Sequence, residues 1–221
     1  MSENLWGRVD DYIAERLVAE DAVLHATLSA NEAAGLPAID VSAAQGKFLN
    51  LMVSITGARR VLELGTLGGY STIWMARALP EDGKLVTLEF SPHHAEVARN
   101  NIAGAGLGHL VDIHVGPAAE TLPQLAAGNP EPFDFVFIDA DKPNNPVYLD
   151  WAIRLGRPGT VIILDNVIRD GQVIEPDNTD PRVIGTRAAF DMIGSHPRLR
   201  ATALQTVGAK GWDGFAIMVI D

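Results

Sequence analysis

The apolar residues of the chain follow one spacing in its first quarter and another beyond it. Between residues 5 and 17, Leu5, Val9, Ile13 and Leu17 recur every four positions among charged neighbours, which predicts an amphipathic helix with one apolar stripe. A second helix is expected from Asp21 to Gly35, where Gly35 and Pro37 stop it. The third has the plainest start signal: Ser42 and Gln45 form a capping box ahead of Phe48, Leu49, Met52, Val53 and Ile55, and Gly57 closes the helix. From Arg60 onward, short apolar runs alternate with helical segments. Strands are predicted over 61–64, 84–89, 111–115, 133–139 and 160–165, with helices over 71–79, 92–105, 119–125 and 148–155 between them. The run over 133–139 is nearly all apolar, as a central parallel strand buried on both faces would be. This alternation predicts a doubly wound α/β sheet.

The last quarter departs from it. After a polar, proline-containing loop over 166–181 and a helix to about His196, two strand-like runs, 201–207 and 215–220, are joined by a short glycine-containing link. A parallel crossover needs about a dozen residues or more, so these runs are expected to pair as an antiparallel hairpin. The expected architecture is a Rossmann-like, mostly parallel sheet of seven strands ending in that hairpin and preceded by helices. With 221 residues, 47% of them hydrophobic, the chain suits one well-cored domain and is short for two. Residues 1–57 would form a helical cap on a core spanning 58–221.

Composition narrows the function classes. No apolar run reaches 18 residues, and Glu3, Asp10 and Asp11 stand where a signal peptide would be basic, so a cytoplasmic protein without a membrane partner is expected. The absence of cysteine excludes disulfides, thiolate metal sites and a cysteine nucleophile. A net charge of −11 argues against a nucleic-acid partner, which needs clustered Lys and Arg. The six histidines show no paired-ligand spacing, and no G-x-S-x-G elbow is present.

Candidate chemistry lies at the strand ends. Residues 61–71, VLELGTLGGYS, join a buried strand to a helix through a turn in which Gly65, Gly68 and Gly69 let the backbone bend and approach a ligand. Glu63 occupies the first glycine position of a dinucleotide fingerprint, and no Walker Lys-Ser/Thr follows. Glu89 ends the second strand, 24 residues after Gly65, where a carboxylate can accept both hydroxyls of a ribose lying on the turn. Strand four ends in Asp139-Ala140-Asp141-Lys142 and strand five in Asp165-Asn166. In an open α/β sheet both clusters should face one crevice. Two carboxylates and a carboxamide suit Mg²⁺ or Ca²⁺, while aspartates at strand ends also serve as caps and turn formers. Spacing alone leaves both open, as it leaves Lys142 open between a functional amine and a solvated loop charge.

VLELGTLGGYST, LVTLEF, FVFIDADK and ILDN, in this order and at these separations, resemble the cation-dependent class I O-methyltransferases, the family of catechol and caffeoyl-coenzyme A O-methyltransferases. The resemblance spans nearly the whole chain. It implies S-adenosylmethionine in the crevice, with Glu63, Gly65, Thr66, Gly69 and Ser71 along its methionine and ribose portions. Val41 and Ser42 belong to a segment, VSAAQG, that resembles the one closing over the methionine end. Glu89 matches the ribose-binding acid, Ala118 an adenine contact, and Asp141 an acid near the amino group. Asp139, Asp165 and Asn166 match the ligands of Mg²⁺, or of another divalent cation such as Mn²⁺ or Ca²⁺, and Lys142 matches the catalytic lysine. Asp141 stands where the animal catechol enzymes carry tryptophan, and Ala140 where they carry histidine, so the chain is closer to the plant and bacterial branch.

The implied reaction is metal-assisted methylation of a vicinal dihydroxyphenyl group on a small phenolic acceptor, with Lys142 taking the proton and the loop over 167–180 and the N-terminal helices recognising the rest. The family implies a homodimer. Two alternatives remain: the same chemistry on a hydroxylated tRNA base, which the acidic balance disfavours, and a dinucleotide-dependent oxidoreductase, which Glu63 and the terminal hairpin disfavour.

Overall fold

A computed structural model describes residues 2–221, with side chains from Leu5 onward. Three helices come first: α1 (Ser2–Leu17), α2 (Ala22–Ala33) and α3 (Ala43–Thr56). Asp21 caps α2, accepting the Leu24 N–H at 3.1 Å, and Ser42 caps α3, accepting the Gln45 N–H at 3.2 Å. The capping box expected at α3 is only half formed, because the Gln45 side chain turns away from the helix start toward the site described below. In α1 the apolar stripe is largely uncovered in the single chain: Leu5, Val9 and Leu17 are exposed.

The strands β1 (Arg60–Leu64), β2 (Lys84–Glu89), β3 (Val111–Val115), β4 (Phe133–Ile138) and β5 (Gly156–Asp165) are parallel to their neighbours. Between them lie α4 (Tyr70–Ala76), α5 (Pro92–Gly104), α6 (Ala118–Ala127) and α7 (Asn145–Leu155), and α8 (Pro181–Ser195) follows β5. The strands β6 (Leu199–Gly208) and β7 (Gly211–Ile220) pair antiparallel across a two-residue turn, and β7 inserts antiparallel beside β5. The order β3-β2-β1-β4-β5-β7-β6 is the expected mostly parallel seven-stranded sheet with its reversed hairpin. Strand five starts earlier than expected, at Gly156, and its first residues pair irregularly with Phe133.

Side-chain alternation splits the interior into two cores. Leu62, Leu64, Val86, Leu88, Val136 and Ile138 pack with α6, α7 and α8 on one face. Val61, Leu85, Phe135, Phe137 and Ile163 pack with α2 to α5 on the other. Among the described residues no helix is long and apolar enough to cross a membrane.

Chain reversal occurs between β1 and β4, where one connection leaves toward β2 and the other arrives from β3, and a crevice opens beyond their carboxyl ends. The two strands are tightly joined there. Gly65 has φ of 94°, and a Cβ at this position would collide with the Asp139 carbonyl oxygen. Gly68 is likewise closed off by the Asn31 side chain, and Gly69 lies against Ile102. The first two glycines therefore answer to neighbouring protein segments as much as to any ligand.

Gly65→Ala combines a left-handed backbone with a collision against main chain, so a loss of about 2–5 kcal/mol is expected from the two effects together. Gly106→Ala, with φ of 74° and open space around the added methyl, should cost only about 1 kcal/mol. Urea unfolding of the two variants checks the contrast, and equal losses would mean that the β1–β4 contact is not limiting.

Candidate active site

Glu89 organises the β1–β2 side of the crevice. Its Oε2 accepts the backbone N–H groups of Thr66 (3.1 Å) and Leu67 (2.8 Å), and its Oε1 accepts that of Ser91 (2.9 Å). His94 Nδ1 lies 3.3 Å from Oε1. These bonds hold the glycine turn onto the end of β2 and orient the carboxylate, whose remaining lone pairs can still accept ligand hydroxyls. Only Gly69, with φ of 86°, separates this turn from the start of α4.

Beneath the turn, Glu63 is fully buried. It accepts Ser71 Oγ–H at 2.6 Å and Thr72 Oγ1–H at 2.5 Å. Burial pushes its carboxyl up to about 7, and the nearby charge of Asp139 adds to the shift. Glu63 is thus a brace between β1 and α4.

On the β4–β5 side, Lys142 is buried, and its Nζ donates to Asp139 Oδ1 at 2.7 Å. A solvated loop lysine is excluded. Asp165 is also buried, its Oδ1 accepting the Asn166 N–H at 2.9 Å and its Oδ2 accepting Gln45 Nε2–H at 2.6 Å. Burial, with Asp139 as a neighbouring negative charge, pushes the Asp165 carboxyl up to about 7. Asn166 adopts a left-handed backbone, φ 55°. Asp141 accepts hydrogen bonds from Tyr148 Oη and, at 2.6 Å, from Asn144 Nδ2.

A cleft of about 990 Å³ unites the two sides. Val41, Gly65, Thr66, Ser71, Glu89 and Ala118 line it, and so do Asp139, Asp141, Lys142, Asp165 and Asn166. Ser42, Glu63 and Gly69 do not line it: Ser42 caps α3, Glu63 braces the floor and Gly69 begins α4. Gln45 is the lining residue that sequence reasoning assigned elsewhere. It joins Asp165 across 120 residues of chain, and no local pattern signals such a bond.

The arrangement suits a divalent cation. Asp139 and Asp165 repel one another, Lys142 supplies a single compensating charge, and the donors are hard oxygens. Among the described residues no three His, Cys, Asp or Glu side chains are grouped to hold a metal, so the third protein donor would be the Asn166 carboxamide.

Residues 15–214 match the O-methyltransferase family. The chain belongs to the class I S-adenosylmethionine-dependent O-methyltransferases. It is 55% identical over 213 residues to a catechol O-methyltransferase of Mycobacterium tuberculosis, covering 96% of this chain and 94% of that one. A catechol O-methyltransferase of Niastella koreensis is 50% identical over 220 residues, with both chains covered completely. The crystal structure of a Bacillus cereus O-methyltransferase in complex with S-adenosylhomocysteine superposes with a TM-score of 0.98 at 53% identity, covering 99% of this chain and all of that one. Membership in this family removes the oxidoreductase alternative.

In the folded methyltransferase Glu63 keeps its proton up to about pH 7, whereas the unfolded chain releases it near 4.5. Its contribution to stability is therefore complete below about pH 4.5 and is lost as pH rises through about 7. Glu63→Gln cannot ionise, so it should flatten this part of the pH–stability curve by about 3 kcal/mol. Urea unfolding at about pH 5 and about pH 8 measures the difference, and parallel curves for the two proteins would refute the assignment.

Proposed function

We propose that this methyltransferase transfers the methyl group of S-adenosylmethionine to one hydroxyl of a vicinal dihydroxyphenyl acceptor, a small phenolic molecule, with a divalent cation such as Mg²⁺, Mn²⁺ or Ca²⁺ bound at the site. The observation that carries this reading is the buried Asp139–Lys142 ion pair beside Asp165, facing the Glu89 side of the cleft. The 50–55% identity to catechol O-methyltransferases supports the acceptor class.

Glu89, held by three main-chain N–H groups, accepts the ribose hydroxyls, while Gly65, Thr66 and Ser71 border the methionine portion and Ala118 borders adenine. S-adenosylmethionine supplies an electrophilic methyl group on a sulfonium. Asp139, Asp165 and Asn166 would hold the cation, which would favour the ionised form of a neighbouring acceptor hydroxyl. Gln45 fixes one oxygen of Asp165, and the Asn166 main chain fixes the other. Lys142 Nζ, oriented by Asp139, accepts the proton of the acceptor hydroxyl as the neutral amine, once the proton of the resting ion pair has passed to solvent. That oxygen then forms the bond to the methyl carbon as the carbon–sulfur bond breaks, leaving a methyl ether and S-adenosylhomocysteine. Burial of Lys142 and Asp165 keeps water from competing with the acceptor.

Removing the cation side should separate transfer from cofactor binding. Asp165→Ala, Asn166→Ala or EDTA treatment should each abolish or strongly reduce methylation of catechol while calorimetry finds S-adenosylmethionine affinity nearly unchanged, and Mg²⁺ should restore the chelated enzyme. Full activity in EDTA after exhaustive dialysis would refute the metal-dependent reading.

Lys142→Met should lower kcat by roughly 10²–10⁴-fold, the usual contribution of a positioned acid or base. The loss should shrink for nitrocatechols, whose hydroxyl is already ionised. A uniform loss across acceptors of different acidity would assign Lys142 to substrate orientation instead of proton removal.

A further inference from the structure

The chain carries a net charge of −11, and Asp40, Glu89, Asp139, Asp141 and Asp165 place five of its carboxylates along the cleft, which opposes the entry of anions. An acidic acceptor would be disfavoured unless cations met it locally. Of the cations lining the cleft, Lys142 is paired with Asp139 and Lys210 donates to the Ala38 carbonyl oxygen at 3.3 Å; the others are Arg169, from the loop between β5 and α8, and Arg182, from the first turn of α8. Both lie within electrostatic reach of Asp180: hydrogen bonds from Arg182, with a smaller contribution from Arg169, hold its carboxyl down at about 2.

The two guanidinium groups differ in what they already bind. Arg182 donates from Nε (3.1 and 3.0 Å) and from Nη2 (2.6 Å) to Asp180. Arg169 donates no side-chain hydrogen bond among the described residues. Asp213 Oδ2 stands 3.8 Å from its Nη1, too far for one, and its Nε is buried without a partner. Asp213 is committed elsewhere: its Oδ1 accepts the main-chain N–H groups of Ile168 (2.9 Å), Arg169 (3.1 Å) and Gly214 (3.0 Å). It pins the loop backbone and faces the guanidinium as an ionic neighbour that accepts no hydrogen bond from it. The pinned conformation is itself unfavourable, because Arg169 (φ 56°) and Asp170 (φ 55°) are both left-handed, as is Asn166 at the metal end of the same loop. A half-buried cation without a hydrogen-bond acceptor, on a strained and anchored loop that borders the acceptor site, has the character of a preorganised ligand contact.

We propose that Arg169, assisted by Arg182, binds a carboxylate on the methyl acceptor, so that this enzyme selects dihydroxyphenyl acids over neutral or cationic catechols. The inference rests on the catechol reading above and adds the charge of the acceptor's side arm. A guanidinium fork matches a carboxylate with two parallel bonds, which an ammonium cannot do, and the cleft carboxylates oppose any anion that the arginines do not meet.

The test compares 3,4-dihydroxyphenylacetate with its primary amide, which has the same ring and nearly the same size without the charge. Calorimetry on the enzyme loaded with S-adenosylhomocysteine and Mg²⁺ should find the acid bound about tenfold or more tighter than the amide. Arg169→Met should bring the ratio close to one, Arg169→Lys should recover part of it, and Arg182→Met should reduce it less than Arg169→Met does. In turnover with S-adenosylmethionine the Arg169→Met loss should fall on KM for the acid, with kcat and the amide kinetics little changed. Equal binding of acid and amide by the wild type, an unchanged ratio in Arg169→Met, or no binding of either compound would overturn the proposal. Retained acid selectivity in binding with no methylation of any catechol would uphold the anion site and overturn the proposed reaction instead.

Discussion

The closeness of β1 and β4 at their carboxyl ends governs the site. Gly65 sits where any side chain would strike the Asp139 carbonyl oxygen, and the two strands stay hydrogen-bonded to this point, with Asp139 N–H donating to Leu64 O at 2.8 Å. Because the connections from β1 and β4 depart in opposite directions, this contact sets the glycine turn and Glu89 on one side of the cleft. Asp139, Lys142 and Asp165 then fall on the other. A wider junction would separate Glu89 from the acidic cluster across the cleft, and groups that must act together depend on such a fixed separation.

Charge is the second constraint. Asp139 lies close enough to Glu63 and Asp165 for its charge to help raise the pKa of each, and Lys142 is the buried cation between Asp139 and Asp165. The fold manages each carboxyl differently. Glu63 is kept in a protonated range and hydrogen-bonded by Ser71 and Thr72, so it serves as a brace. Asp165 is held by Gln45 and the Asn166 main chain with its negative charge disfavoured, a state that a bound cation would relieve. Asp139 orients Lys142. The site is thus preorganised at some cost in stability, as buried functional groups commonly are.

The side of the cleft after β5 is built on less regular structure. The loop after β5 has no long element of its own, only a 3-10 turn at Gln172–Ile174, and it holds its shape through Asp213 of the terminal hairpin. The reversed strand β7 therefore closes the sheet beside β5 and also positions the carboxylate that fixes the loop bearing Arg169. The Glu89 side of the cleft rests on strand ends inside the sheet, whereas the Arg169 side rests on a loop and on β7. The loop can vary without disturbing the β1–β4 junction.

Much of this was legible in the sequence because it depends on local periodicity. Alternating strands and helices, the capping of α3 by Ser42, and the hairpin forced by a link too short for a crossover follow from neighbouring residues alone. So does the convergence of Glu89, Asp139 and Asp165, since parallel strands share one carboxyl edge. Relations between distant residues were not legible. That Gly65 is required by Asp139, that Gln45 leaves its capping box for Asp165, and that the apolar stripe of α1 lies uncovered depend on which segments meet in three dimensions. Likewise, a lysine after a strand end has the same local pattern whether buried or solvated; only the tertiary packing, in which Gly185 of α8 abuts the Lys142 main chain, leaves Lys142 buried and paired with Asp139.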